Sequence, residues 1–191
     1  MIRFAELLAP EQVERVHEAS LEILESVGML VRNASARALF ERHGCQVDGE
    51  TGVVRLPRQV VLHFLAACPS RFTYYGRDPR FDRTLPDDGP LMAPASSAPD
   101  ILDPETGQVR RARSEDIARI AYLVNELPGY DLLTLPVTAE DAPAGQFSIS
   151  RFYPALKNCL KPVRGSAPSL EEGQAILRMC ALIAGSEAAF W

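Results

Sequence analysis

The sequence has 191 residues, 47% hydrophobic and 24% charged, enough for a sizeable core in a globular protein. Its formal charge of −5, with no basic cluster to offset it, argues against an electrostatic hold on nucleic acid or an anionic membrane. No apolar run approaches the ~20 residues of a bilayer-spanning helix, and MIRFAELLAPEQ lacks the apolar stretch of a secretory leader, so a cytoplasmic location is expected.

Residues 11–27 place Val13, Val16, Ile23, Leu24 and Val27 at helical spacing, with Pro10 suited to the first turn and Gly28 to the C-terminal cap. Asn33 can cap a second helix from Ala34 to His43, closed by Gly44. Gln46–Leu56 predicts a hairpin around Gly49-Glu50-Thr51-Gly52, and Pro57 opens a third helix that cannot continue past Pro69. Arg71–Tyr75 alternates and carries aromatics, so a strand is expected, followed by a polar loop, Gly76–Gly89. That loop is the expected boundary between an N-terminal helical and hairpin region, 1–88, and a second region, 89–191.

The rhythm then changes to strand, helix, strand, helix. The apolar run Leu91–Ala93 is expected to form a strand, followed by a hairpin of Asp100–Asp103 and Gln108–Arg111 around Pro104-Glu105-Thr106-Gly107. Ser114 is expected to cap a helix with Ile117, Ile120, Ala121 and Val124 on one face. Leu132–Val137 has the length and composition of a buried strand and precedes the loop Thr138–Ala144 and a helix from about Gly145 to Cys159. Lys161–Arg164 is a third short strand, and Ser169 caps a helix over Leu170–Ala184. The fold class expected is α/β, the second region being three βα units with parallel strands. A closed (β/α)₈ barrel takes roughly 250 residues, so these would be part of a barrel. The terminal Phe190-Trp191 agrees with a chain incomplete relative to that fold, and exposed strand edges would favour self-association into a homo-oligomer.

Arg110, Arg111 and Arg113 are the densest basic group and suit a solvated hairpin strand better than a phosphate site. Cys45, Cys68, Cys159 and Cys180 form no C-x-x-C, so reduced, mostly buried thiols are expected, with no disulfide framework or metal site.

Several segments in order, LAPEQVERVHEASLEILESVGM, HGCQVDGETGVVRLP, PSRFTYYGRDP, APDILDPETGQVRRARSEDIARIAYLVNELPGYD, EDAP, ALKNCLKPV and ILRMCALIAG, resemble the N-terminal part of the trimethylamine methyltransferase (MttB) family. The resemblance implies a TIM-barrel scaffold and a corrinoid-dependent methyltransferase. Its methyl donor would be trimethylamine or a related quaternary amine such as glycine betaine, and its acceptor the cobalt of a separate corrinoid protein, with no cofactor bound to this chain directly. The match covers less than half the usual length of the family, and the position of pyrrolysine in archaeal members lies beyond Trp191. A truncated enzyme with little activity alone is the expectation, with a non-catalytic module that binds a corrinoid protein or partner subunit as the alternative.

On a barrel the chemistry sits at the C-terminal ends of the strands. The candidate substrate-binding residues are Ser96 and Ser97 after the first strand, Thr138 and Asp141 after the second, and Ser166, beside Gly165, after the third. Each has a structural alternative: Ser96 and Ser97 are common turn formers, and Asp141 can cap the following helix. Family members often have glycines where this chain has Ser96 and Ser97. A quaternary amine would call for an aromatic cage, but Phe147, Phe152 and Tyr153 fall on a helix and suit a core. His43-Gly44-Cys45 has the His-x-Cys spacing of zinc ligands in another group of corrinoid-linked methyltransferases, yet Gly44 suits a helix cap and no third ligand follows. The catalytic residues are not legible.

Overall fold

The structure, a computed structural model, describes residues 8–190; residues 1–7 of the expected leaderless N-terminus and Trp191 of the terminal pair lie outside the described residues. The chain is mixed α/β and divides into two compact units, Met1–Pro69 and Ser70–Trp191. No helix among the described residues is long and apolar enough to cross a membrane.

The first unit begins with α1 (Pro10–Ser26), whose leading turn is closed by Gln12 Oε1 accepting from the Ala9 N–H at 2.8 Å. Gly28, at φ +78°, turns the chain into β1 (Met29–Leu30), a short strand hidden in the sequence by its length. A side chain at Gly28 would stand 2.3 Å from the Val54 carbonyl oxygen, so only glycine fits that turn. Asn33 caps α2 (Ala34–Arg42) by accepting from Ala36 N at 3.0 Å, as expected. The expected hairpin forms as β2 (Gln46–Val47) and β3 (Val53–Arg55), with β3 central between β1 and β2 in an antiparallel sheet. Val54, fully buried on β3, and Leu21 of α1 anchor this unit. Pro57 precedes α3 (Arg58–Ala66), and Arg58 reaches back to Glu18 on α1.

The second unit opens with β4 (Phe72–Tyr74). Part of the loop 76–89, expected to be unstructured, forms a 3₁₀ turn, Pro79–Phe81, and β5 (Arg83–Leu85), which pairs antiparallel with β4. The arginines and aspartates of this stretch are used locally: Asp78 holds Arg80, and Arg83 holds Asp131 at 3.0 Å. This satisfaction of charge lets a polar sequence form a strand.

Leu91–Ala93 does not form the expected strand. Pro90 and Pro94 remove N–H donors on either side of it, so a regular ladder cannot form. The segment nevertheless runs beside the chain at 131–138. Met92 O accepts from Asp131 N and Leu132 N, Ser97 N donates to Leu135 O at 3.1 Å, and Ala98 bridges Val137 in parallel. The expected hairpin follows as β6 (Asp100–Leu102) and β7 (Val109–Arg111), antiparallel with Asp100 opposite Arg111. Next comes α4 (Ser114–Glu126), in which Ser114 is the first helical residue; Asp116 supplies the cap by accepting from Arg113 N at 2.8 Å.

The remaining elements are β8 (Leu133–Thr134), α5 (Phe147–Asn158), β9 (Val163–Arg164), α6 (Leu170–Ala184) and a final turn of helix, α7 (Glu187–Phe190). β8 and β9 pair in parallel, Leu133 with Val163 and Thr134 with Arg164, with α5 as the crossover. Two parallel strands with one bonded flanking segment stand in place of the expected three strands, and no closed barrel forms among the described residues. Leu133, Leu135 and Val137 pack with Ile117, Ala121 and Val124 of α4, Phe152 and Ala155 of α5, and Ile176 of α6 in one core. Lys161 is buried beside it, with Nζ donating to the carbonyls of Val124, Leu127 and Tyr130 at 2.7–2.8 Å and so tying the end of α4 to β9.

Candidate functional site

A cleft of about 200 Å³ opens at the C-terminal ends of the parallel segments, within the second unit. Its wall is made by Ser96 and Ser97 after the Met92–Ala95 stretch, Thr134 and Leu135 of the β8 region, Arg164, Gly165 and Ser166 at the end of β9, and Arg151 from α5. Successive parallel strands end on the same side, which brings together residues far apart in sequence. Ser96, Ser97 and Ser166 are thus gathered in one place.

Thr138 and Asp141 do not line it. Thr138 N continues the parallel alignment by donating to Ala98 O at 2.9 Å. Asp141 Oδ1 accepts from Ser114 N at 2.8 Å and Ser114 Oγ at 3.0 Å, so it caps α4, the helix before it, where the sequence suggested the helix after it. Phe152 is core, Tyr153 is exposed, and Phe147 stacks under the Arg151 guanidinium at 4.9 Å from ring centre to Cζ; among the described residues no aromatic cage lines the cleft. His43 packs edge-on against Phe64 with centroids 5.0 Å apart, and Cys45 is buried with its thiol pushed up by burial. Among the described residues no three His, Cys, Asp or Glu side chains come together as a metal ion requires.

The residue that sequence reasoning missed is Arg151. It is 2% exposed, and its Nε donates to Val137 O at 3.1 Å while Nη2 donates to Ser97 Oγ at 2.9 Å and Leu135 O at 3.3 Å. Burial pulls its pKa below the ordinary value, yet guanidinium keeps its proton at any physiological pH. A signal existed: Ser148, Arg151, Phe152, Ala155 and Leu156 follow i, i+3, i+4, i+7, i+8, which puts a cation on the apolar stripe of α5.

Two local features shape the cleft. Ser97 has φ +58°, a left-handed conformation that costs a non-glycine residue about 1 kcal/mol and is offset here by its bond to Arg151. Thr134 Oγ1, directed at the carbonyl of Pro94, pins the same turn from the other strand. At Gly165 an added Cβ would lie 2.6 Å from both Leu135 Cδ1 and Phe152 Cζ, so the floor of the cleft needs a residue without a side chain.

The sequence matches the family described as Trimethylamine methyltransferase (MTTB) over residues 1–190. The chain belongs to that family. Among curated relatives, trimethylamine methyltransferase MttB of Methanosarcina thermophila is 33% identical over 143 residues, 73% of this chain and 29% of the relative. The protein of the same name from Desulfitobacterium hafniense (strain DSM 10664 / DCB-2) is 25% identical over 177 residues, covering 93% of this chain and 36% of its own. Glycine betaine methyltransferase of D. hafniense Y51 is 27% identical over 182 residues, 95% of this chain and 37% of its own. This MTTB-family chain therefore spans about a third of the length of these relatives, and the cleft lies within that third.

Proposed function

We propose that this chain takes part in moving a methyl group from trimethylamine or a related quaternary amine, such as glycine betaine, to a corrinoid carried by a separate protein. The observation that carries the reading is the family match across residues 1–190. The cleft at the strand ends supports it, since a small, polar concavity at that end of parallel strands is where this architecture places substrates. In the same reading the β8–α5–β9 unit and the Met92–Ala98 segment beside it are the opening part of a TIM barrel in a cytoplasmic protein.

In the transfer the carbon–nitrogen bond of a quaternary or protonated amine breaks, the nitrogen keeps the bonding pair and leaves as a neutral amine, and the methyl carbon joins the corrinoid cobalt in its reduced, nucleophilic state. What a protein adds is placement of the donor, and proximity can supply much of such a barrier. Ser96, Ser97, Ser166, Arg151 and Arg164 are this chain's contribution to that placement. They form one wall, so the chain alone is expected to turn over little or no donor. A second reading, a module that binds a corrinoid protein without catalysis, is favoured by the chain's spanning only about a third of its relatives.

Incubating the chain with a reduced corrinoid protein and either donor, while recording the visible spectrum and co-elution, separates the two. Methylcobalt absorbance establishes transfer, co-elution without methylation even when the rest of a family barrel is supplied as a second polypeptide favours the module, and neither signal under both conditions sinks both.

A further inference from the structure

α1 packs on α3 and β3 along one side, where Leu21 is buried and Glu18 meets Arg58, and Glu14, Glu22 and Glu25 border the groove that holds this pair. Another side of the same helix is apolar and open. Val13, Val16, Ile23 and Val27 are each more than half exposed. Single apolar residues on a surface are ordinary, but four in one line are not. With Ser20 they follow one another at spacings of 3, 4, 3 and 4 residues, the repeat that keeps one seam along a helix. The seam is a palindrome in position: Val13 and Val27 stand seven residues to either side of Ser20, and Val16 and Ile23 flank it at four and three. None of the five is charged. Ser20 does not break the apolar character, because its Oγ donates back to Val16 O at 2.7 Å and needs no outside partner.

We propose that this seam is an interface between two copies of the chain, with the two α1 helices antiparallel and crossing at Ser20 on a twofold axis. A twofold sets a surface against itself, so a seam that reads alike in both directions can bury all of its side chains in that way. It brings Val13 against Val27 of the second copy and Val16 against Ile23 of the second copy, over about 21 Å of helix. The small side chain at the crossing lets the helix axes approach to about 8 Å, the close end of helix packing. Antiparallel helices also set opposite dipole ends together, where a parallel pair sets like ends side by side. An anionic membrane is a poorer occupant, because five glutamates against one arginine make α1 negative. The interface is small, below the roughly 1,200 Å² of a standard one, so association is weak and reversible. The pairing concerns the first unit alone and is independent of the proposed methyl transfer.

Cross-linking of the whole chain at high micromolar concentration, in a Cys68→Ser background that removes the exposed thiol, tests this. Ser20→Cys is expected to give a disulfide-linked dimer on mild oxidation, since the two positions meet at the crossing. Val13→Cys mixed with Val27→Cys should join to each other through a short thiol cross-linker about tenfold faster than either joins to its own kind. Val16→Glu, at an exposed position, should slow the Ser20→Cys cross-link about tenfold or more. Its melting temperature should stay unchanged at concentrations where the chain is monomeric. Ile23→Glu should do the same, so a folding defect in one variant does not decide the outcome. The proposal is overturned by absence of a dimer from S20C, or by V13C joining to itself as fast as to V27C, which marks a parallel pair. It is overturned as well by a cross-linking rate that V16E and I23E leave unaltered, which marks random collision. A melting temperature lowered by both glutamates in the monomer would also end it, because the stripe would then be covered within one molecule.

Discussion

Ser148 and Arg151 sit one turn apart on the buried stripe of α5, and both carry polar atoms into the interior. Arg151 finds acceptors; Ser148 Oγ, fully buried, has no hydrogen-bond partner among the described residues. An unsatisfied hydroxyl costs roughly 1–3 kcal/mol, so Ser148→Ala should raise stability by about 1 kcal/mol, read as a higher urea midpoint at constant slope. The cysteines divide in the same way by environment. Cys45 and Cys159 are buried with thiols pushed up by burial, and Cys180 is partly buried and raised for the same reason, while Cys68 is exposed. Ellman's reagent should therefore titrate one thiol quickly in the native protein, and Cys68→Ser should abolish that fast phase. That Cys68 would be the exposed thiol is not readable in its own residue type; it follows from the end of α3 and the turn at Pro69.

Among elements, the helices are the legible part of the sequence because their apolar period and caps agree: Asn33 and Ser169 cap where they are expected to, and α6 has the expected bounds. The strands are less so, since β1, β8 and β9 are two residues long and carry no period to detect. β5 is hidden because its arginine answers an aspartate 48 positions later in the chain. Asp141 likewise caps a helix 27 positions earlier, a link no local pattern contains. Asp141→Ala should cost about 1 kcal/mol of stability, read as a lower urea midpoint at constant slope, as the loss of a helix cap requires. The β7–α4 junction adds a pH signature. Arg110 hydrogen bonds hold Asp103 at about 2 and Asp116 below the usual carboxylate range. Groups depressed in the folded state stabilise it fully above their unfolded value of 3.8, and that contribution fades as pH falls through the folded values. The stability gap between wild type and Arg110→Gln should be constant near neutrality and shrink as urea titrations move toward about pH 2.

For the molecule as a whole, the expectation of parallel βα units is met at β8–α5–β9 and only loosely upstream of it, where two prolines interrupt the ladder. Among the described residues β9 pairs on one side alone, and Leu170, Leu177, Leu182 and Tyr153 leave apolar surface exposed on the helices of the same unit. Unpaired edges and apolar faces favour association. Size-exclusion chromatography across a concentration series should show an apparent mass that rises with loading, and a monomer at the highest concentration would count against this. The rule of strand ends reaches Ser96, Ser97 and Ser166, which line the cleft, and also Thr138 and Asp141, which do not. The charge of the cleft escapes that rule because Arg151 comes from a helix.

Gly165 gives the cleft an uneven capacity for inherited change. Ser96, Arg164 and Ser166 are exposed at the rim, and substitutions there would alter charge and shape without touching the core. At Gly165 even one added carbon meets Leu135 and Phe152. A lineage could therefore vary the rim by small steps while its floor stays fixed, and such divergence would leave fewer marks on the fold than on those three surface positions.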